Sequence, residues 1–383
     1  MFYHENLDVR GGAEVVFQYL LKFSEKKLNP YLVLTLSKID TFSYNNKLVK
    51  LRRNRFLSFN NIIYSNRILY KRLPYLVKAF YNVRKRYGKP KFIFITKGGF
   101  QPLYLGLFGC VFKDVKIKIL SLPDIHQLNI LTGNYGKHKI SLLPARFLSK
   151  TLLKLHNFND AYFLANSPEM RELILKVFPS LKGRVDVLYP PFDDKFFYPR
   201  NDLREDNSIL VVGRIHPSKR THLALEVFRN LREYVKDVKL YIVGDVGDKS
   251  YYGYLCSKIA TMNLQNHVEV IPEGEPEILR EYMWRSKVCW CIASGFFGIT
   301  NVECLACGAI PIVLPGFKSS VGSFGFVASN QDDFVKFTVK VLANPPSWEK
   351  ILEGYKWVRN MFSSEAFFKR TSEIFQKLGI LYP

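Results

Sequence analysis

The run Ser208-Ile209-Leu210-Val211-Val212 ends in Gly213-Arg214, and Lys219 stands five residues after the arginine, just before a helical pattern. These are residue types that hold a diphosphate. A glycine lets backbone N–H groups approach phosphate oxygens, a helix N-terminus favours negative charge, and Arg214 with Lys219 neutralises the rest. The plainer reading of the same segment is a surface turn with two ordinary basic residues. A second run, Val288-Cys289-Trp290-Cys291-Ile292, leads through Gly295 and Gly298 into Ile299-Thr300-Asn301-Val302-Glu303. Here too a glycine-containing loop meets a helix N-terminus. Backbone amides from Ile299 to Val302 can hold phosphate oxygens, and Glu303, placed in the helix's first turn, can accept hydrogen bonds from ribose hydroxyls. Its plainer alternative is a carboxylate that only settles the helix terminus.

These loops need strands that end and helices that begin on time, and the second half of the chain supplies them. Apolar runs at 208–212, 239–243, 267–271, 288–292 and 310–314 alternate with helical patterns at about 221–234, 251–263, 276–286 and 301–306. That punctuation predicts an α/β fold with a parallel sheet covered by helices. Both glycine loops then lie at the carboxyl ends of strands, where ligands bind in open α/β sheets. The first half repeats the pattern with strands at 31–36, 91–96, 117–121, 161–165 and 185–188. Two Rossmann-like domains are expected, 1–190 and 191–360, joined near Tyr189-Pro190-Pro191, with 361–383 forming a helix that packs back on the first. Two helical patterns, 347–361 and 364–378, are candidates for that return.

The 383 residues exceed what one hydrophobic core usually serves, which also argues for two domains. No eighteen-residue apolar stretch is present, and the N-terminal residues lack the pattern of a secretory signal. Six cysteines are too few for a disulfide scaffold, so a reducing, cytoplasmic setting is expected. Cys289, Cys291, Cys304 and Cys307 sit in apolar runs and read as core thiols rather than zinc ligands. The net charge of +23 is lopsided: residues 1–190 hold 32 Lys and Arg against 11 Asp and Glu, a net +21. Between Thr41 and Lys113 there are sixteen basic residues and no acidic one. Such a surface expects an anionic partner, a membrane or a nucleic acid, unless it is only a solvated face.

With these features in view, the chain resembles family 4 of the retaining glycosyltransferases, which have the GT-B fold. The likeness rests on Gly213-Arg214 with Lys219, on Phe297-Gly298 through Glu303, on Cys304-Leu305-Ala306-Cys307-Gly308-Ala309-Ile310-Pro311, and on Gly11-Gly12-Ala13-Glu14. It is strongest from 190 to 315. Leu188-Tyr189-Pro190-Pro191-Phe192-Asp193 and Leu122-Pro123-Asp124 look closest to mannosyltransferases that extend lipid-linked oligosaccharides. The resemblance implies a nucleoside-diphosphate sugar as donor, an α-linked product formed with retention, and no required metal or other cofactor. Arg214 and Lys219 would stabilise the leaving diphosphate, the task a divalent ion performs elsewhere. Gly11, Gly12, Gly213, Phe297, Gly298, Ile299, Thr300, Asn301, Val302 and Glu303 would form the donor site. Asp124 or His126 would serve the acceptor side; in plainer terms Asp124 caps a helix and His126 is structural.

Two departures stand out. Gly295 occupies the position where the family usually has a Glu that contacts the transferred sugar, and Ser121 stands where related mannosyltransferases have His. The strand before Gly11 is also short, which points to a start upstream of Met1. On the acceptor side, 61–87 and 137–154 interleave Lys and Arg with aliphatic and aromatic residues and read as basic amphipathic helices, the first broken at Pro74. Their apolar faces can simply be core. The functional expectation is transfer of a hexose, mannose as first guess, to a glycan or lipid-linked acceptor at the cytoplasmic face of an anionic membrane. The alternatives are a basic nucleic-acid-binding protein on a degenerate scaffold, less favoured because Arg214, Lys219 and Glu303 are present, and a sugar-nucleotide epimerase of the same fold.

Overall fold

The computed structural model describes residues 161–382 apart from 294 and, before them, 2–4, 12–28, 33–35, 41–44, 47–50, 56–58, 81, 84–85, 88–89, 91–95, 115 and 117–122. It divides into two compact units, one of residues 1–190 with 367–383 and the other of residues 191–366.

In unit 1, β1 (Phe2–His4), β2 (Val33–Thr35), β5 (Phe56–Ser58), β6 (Phe92–Ile95), β7 (Ile117–Leu122), β8 (Ala161–Ala165) and β9 (Val185–Val187) form one parallel sheet. Its order is β5-β2-β1-β6-β7-β8-β9. A hairpin of β3 (Thr41–Tyr44) and β4 (Lys47–Lys50) stands apart from it. Two of its helices are α1 (Gly12–Lys27) and α2 (Pro168–Val177), the latter capped by Ser167, whose hydroxyl accepts the Met170 N–H.

In unit 2, β10 (Ser208–Val212), α3 (Thr221–Leu231), β11 (Lys239–Val243), α4 (Lys249–Thr261), β12 (Val268–Ile271), α5 (Pro276–Arg285), β13 (Val288–Cys291), α6 (Ile299–Ala306), β14 (Ile310–Val313), β15 (Phe326–Val327), α7 (Gln331–Ala343) and α8 (Trp348–Phe362) alternate along the chain. The sheet is parallel throughout, in the order β12-β11-β10-β13-β14-β15. Its strands are apolar on both faces because helices cover both. Ile209, Leu240, Ile242, Trp290 and Ile312 bury themselves against Leu225, Phe228, Leu255 and Phe334 of those helices. Trp290 keeps its indole satisfied inside the core by donating to Thr338 Oγ1 at 2.9 Å. Cys289, Cys304 and Cys307 are buried in the same unit.

The expected strands and helices of this unit fall within three residues of those observed, the largest difference being α3, which ends at Leu231 rather than 234, but β15 and α7 were not anticipated. At two residues β15 is too short to show a period. α9 (Ser364–Lys377) follows α8 and leaves unit 2. From Phe367 onward it belongs to unit 1, where Phe367, Ile374, Phe375 and Ile380 share a core with Phe17, Leu20, Phe23, Phe92 and Phe94. The division therefore falls at Phe367 rather than at 361, and α8, expected as part of the return, stays in unit 2.

Candidate functional site

In the unit 2 sheet, β10 is flanked by β11 and by β13, so the winding reverses between β10 and β13. The crevice outside the carboxyl ends at such a reversal is the ligand site of doubly wound sheets. Both loops singled out by sequence open there. Gly213 follows β10, and 292–298 follows β13.

After β10 the chain runs on beside the loop that follows β11. The Gly213 N–H donates to Val243 O at 3.0 Å and the Ile215 N–H to Asp245 O at 2.8 Å. Ile215 O in turn accepts from the N–H groups of Gly247 and Asp248, both at 3.1 Å. Only glycines permit this approach. Gly213 has φ +146° and Gly244 φ +153°, and a Cβ on Gly244 would lie 2.3 Å from Gly213 O. A Cβ on Gly247 would lie 2.3 Å from Arg214 Cδ, so Gly247 is the floor under the arginine's stem. The stem of Lys219 crosses Gly213 in the same way, its Cδ and Cε 3.9 Å from where a Cβ would be. Lys219 closes a 3-10 turn, Pro217–Lys219, whose preceding His216 accepts the Ser218 N–H on Nδ1 at 3.2 Å. The stems of the two cations are thus laid over glycine backbone, a setting for a polyanion.

On the β13 side, Gly298 is the N-cap of α6 and no side chain caps the helix. The amides of Asn301 and Val302 donate to Gly298 O at 3.0 and 3.4 Å, so two of the four expected phosphate-binding amides are engaged within the helix. Those of Ile299 and Thr300 have no acceptor among the described residues and remain for an anion. Asn301 is 2% exposed, and its side chain fastens the helix start by donating to Ser320 Oγ at 3.2 Å. The Phe297 ring packs edge-on against Phe362 at the end of α8, centroids 5.4 Å apart. Asn301 and Phe297 therefore serve this site by holding its loop.

Glu303 departs from expectation. It is the fifth residue of α6, beyond a first turn that contains no acid. Burial, with the negative charge of Asp193 adding to it, pushes its carboxyl up to about 7. A carboxylate stabilising a helix N-terminus would shift the other way, which removes that alternative. Near neutral pH the group is shared between its acid and its carboxylate and can both donate and accept hydrogen bonds.

The two sides meet at the reversal. β10 and β13 pair directly, Ile209 with Val288 and Leu210 with Cys289. The charge of Lys219 reaches the Cys291 thiol at the end of β13, opposing the burial that pushes that thiol up to about 12. The loop after β13 has no room for a side chain at 295: a Cβ there would lie 2.6 Å from Phe317 Cζ, and Phe317 is 5% exposed. A Cβ on Gly316 would in turn lie 2.1 Å from the Gly295 carbonyl oxygen.

Residues 194–354 match the family model described as Glycosyl transferases group 1. No curated protein gives a match. Among solved structures, sucrose-phosphate synthase from Thermosynechococcus elongatus superposes with a TM-score of 0.72 at 17% identity, covering 99% of this chain and 98% of its own. HepE from Anabaena in complex with UDP superposes with a TM-score of 0.70 at 14% identity, covering 98% and 99%. A glycosyltransferase from Rickettsia africae gives a TM-score of 0.71 at 14% identity, covering 98% and 97%. The fold is that of the GT-B glycosyltransferases.

In this GT-B chain Gly12 opens α1, which follows β1, and β1 borders the corresponding reversal of the unit 1 sheet beside β6. Gly11, Asp124 and His126, as well as the basic segment 137–154 and most of 61–87, lie outside the described residues. The residues that sequence reasoning passed over are Gly244, Gly247, Gly274 and Asp245 at the ends of β11 and β12. A Cβ on Gly274 would lie 2.5 Å from the Asp245 carboxyl. Their signal was legible: Gly244-Asp245-Val246-Gly247-Asp248 directly follows an apolar run.

Proposed function

We propose that the chain is a retaining glycosyltransferase that moves a hexose from a nucleoside-diphosphate sugar to a glycan or lipid-linked acceptor without a metal ion. One observation supports the reading: the loop with Arg214 and Lys219 follows β10 and the loop into α6 follows β13, the two strands between which the sheet of unit 2 reverses, and Glu303 lies in α6. Arg214 and Lys219 stabilise the charge that develops on the leaving diphosphate. The α6 amides bind its oxygens and Glu303 holds ribose hydroxyls. A leaving-phosphate oxygen takes the acceptor's proton on the same face of the sugar. The match of 194–354 to the group 1 glycosyl transferases supports the class of reaction. HepE has been solved with UDP and with UDP-glucose, which sets uridine donors beside a mannose donor such as GDP-mannose, the first guess carried by the mannosyltransferase resemblance, as the nucleotides to try.

Calorimetric titration of nucleoside diphosphates tests it. Saturable binding in the presence of a chelator is expected, weakened about 10- to 100-fold by Arg214→Ala, the size of a lost charge-assisted bond of about 1.5–3 kcal/mol. Binding untouched by that change sinks the donor site. Oligonucleotide binding in its place would favour the nucleic-acid reading, and interconversion of the donor without transfer would favour an epimerase.

The net +21 of residues 1–190 supports an anionic membrane as the place where the acceptor is met. Each basic residue near the surface contributes about 1 kcal/mol. The protein is expected to float with anionic liposomes and to stay down with neutral ones; sedimentation regardless of lipid charge ends this part. Among the described residues no helix is long and apolar enough to cross a membrane.

A further inference from the structure

A cavity of about 310 Å³ opens in unit 2 where β13 and β14 begin, at the opposite end of the sheet from the candidate donor site. Ile310, Val341, Ile351 and Trp348 give it an apolar wall, and Arg204 and Lys287 give it charge. The guanidinium of Arg204 has an unusual set of partners. Nη1 donates to Ser286 O at 3.0 Å and Gly308 O at 2.8 Å, and Nη2 to Arg200 O and Cys307 O, both at 3.1 Å. All four are carbonyls. The Nε–H is buried and has no partner among the described residues.

The backbone is shaped to admit this group. Gly308 has φ +90°, and a Cβ on it would lie 2.5 Å from Arg204 Nη2. The carbonyls of Cys307 and Gly308, at the end of α6, offer only the partial charge of a helix C-terminus against a full positive one. Burial accordingly lowers the pKa of Arg204. The neighbouring Lys287 pairs with Asp206, whose side chain is 90% exposed and stands at the rim. Two cations therefore line the cavity against one solvated acid. An uncompensated, partly buried cation is costly, and an anion in the cavity offsets that charge.

We propose that this cavity binds a small organic anion, a phosphate or carboxylate carried on an apolar body about one ring in size. Lys287 takes the anionic group within the field of the Arg204 charge, and Trp348 and Ile351 take the body. The volume lies at the lower end for ligand pockets, which suits a single ring and not a sugar nucleotide.

The test titrates the full chain with phenyl phosphate, with and without saturating UDP; benzoate, inorganic phosphate and benzyl alcohol form the other arms. Because Arg204 also clasps backbone carbonyls, the variants are Lys287→Gln and Trp348→Ala. Phenyl phosphate or benzoate is expected to raise the melting temperature saturably and independently of UDP. Each variant should weaken it about tenfold, about 1.4 kcal/mol. Inorganic phosphate and benzyl alcohol should each bind at least about tenfold more weakly than the better of those two probes. The preferred head group distinguishes phosphate from carboxylate. No saturable shift at millimolar concentration, competition by UDP, indifference to both substitutions, or equal binding by inorganic phosphate overturns the proposal.

Discussion

Glu303 holds a carboxyl whose proton is retained up to about pH 7 because burial and Asp193 both oppose its charge. The sign of the consequence for stability is fixed. Below about pH 4.5 the group is protonated whether the chain is folded or not. As pH rises towards 7 the unfolded chain releases the proton while the folded one keeps it, so folding stability falls across that window and stays lower above it. The effect is on the order of 3 kcal/mol. Glu303→Gln is expected to flatten the pH dependence of urea unfolding between pH 5 and 7.5 and to stabilise the protein at pH 8. It should also weaken nucleoside diphosphate binding. Parallel stability profiles for the two proteins would show that the carboxyl is not held as described. A group that costs stability and sits beside a proposed ligand site is the pattern expected of a working residue.

At the scale of elements, the loops after β10 and β11 act as one piece. Their hydrogen bonds run from Gly213 to Val243 and from Ile215 to Asp245, and the stem of Arg214 lies on Gly247. Gly247→Ala places a methyl group where Arg214 Cγ and Cδ now are, 2.6 and 2.3 Å away. A flexible side chain can move aside, so thermal stability should change by no more than about 0.5 kcal/mol. The guanidinium is displaced with its stem, and nucleoside diphosphate affinity should fall about tenfold. An affinity equal to that of the unaltered protein would mean that the loop after β11 does not position Arg214. The other loop has its own fastening, Asn301 to Ser320, which holds the start of α6 in a fixed place.

At the scale of the molecule, each unit has its own sheet and core, yet the chain does not divide simply in two. α9 ends the sequence and completes the first core. Its Phe375 is fully buried, with centroids 5.7 Å from Phe23, 5.6 Å from Phe92 and 6.3 Å from Phe94. Phe375→Ala should cost about 3–5 kcal/mol. Hydrogen exchange would locate the damage: protection is expected to fall in the peptides of α1 and β6 and to persist in β10 to β14. A uniform loss over both units would contradict the division at Phe367.

The sequence by itself determined the local grammar of this protein. Apolar runs, glycines at their ends and cations just beyond them depend on residue type over a few positions, and so Gly213, Arg214, Lys219 and the start of α6 were legible, as was the two-part α/β plan. What the tertiary structure decided depends on contacts between segments far apart in the chain. Strand order is one such property: nothing local says that β13 lies beside β10, yet that pairing creates the reversal at which the two loops meet. Burial is another. Glu303 reads from sequence as a first-turn carboxylate for ribose hydroxyls, and its carboxyl is raised only because the packing around α6 and the charge of Asp193, 110 residues earlier, both oppose its ionisation. The fate of α9 is the third, since an amphipathic helix shows which face it will bury but not which core will receive it.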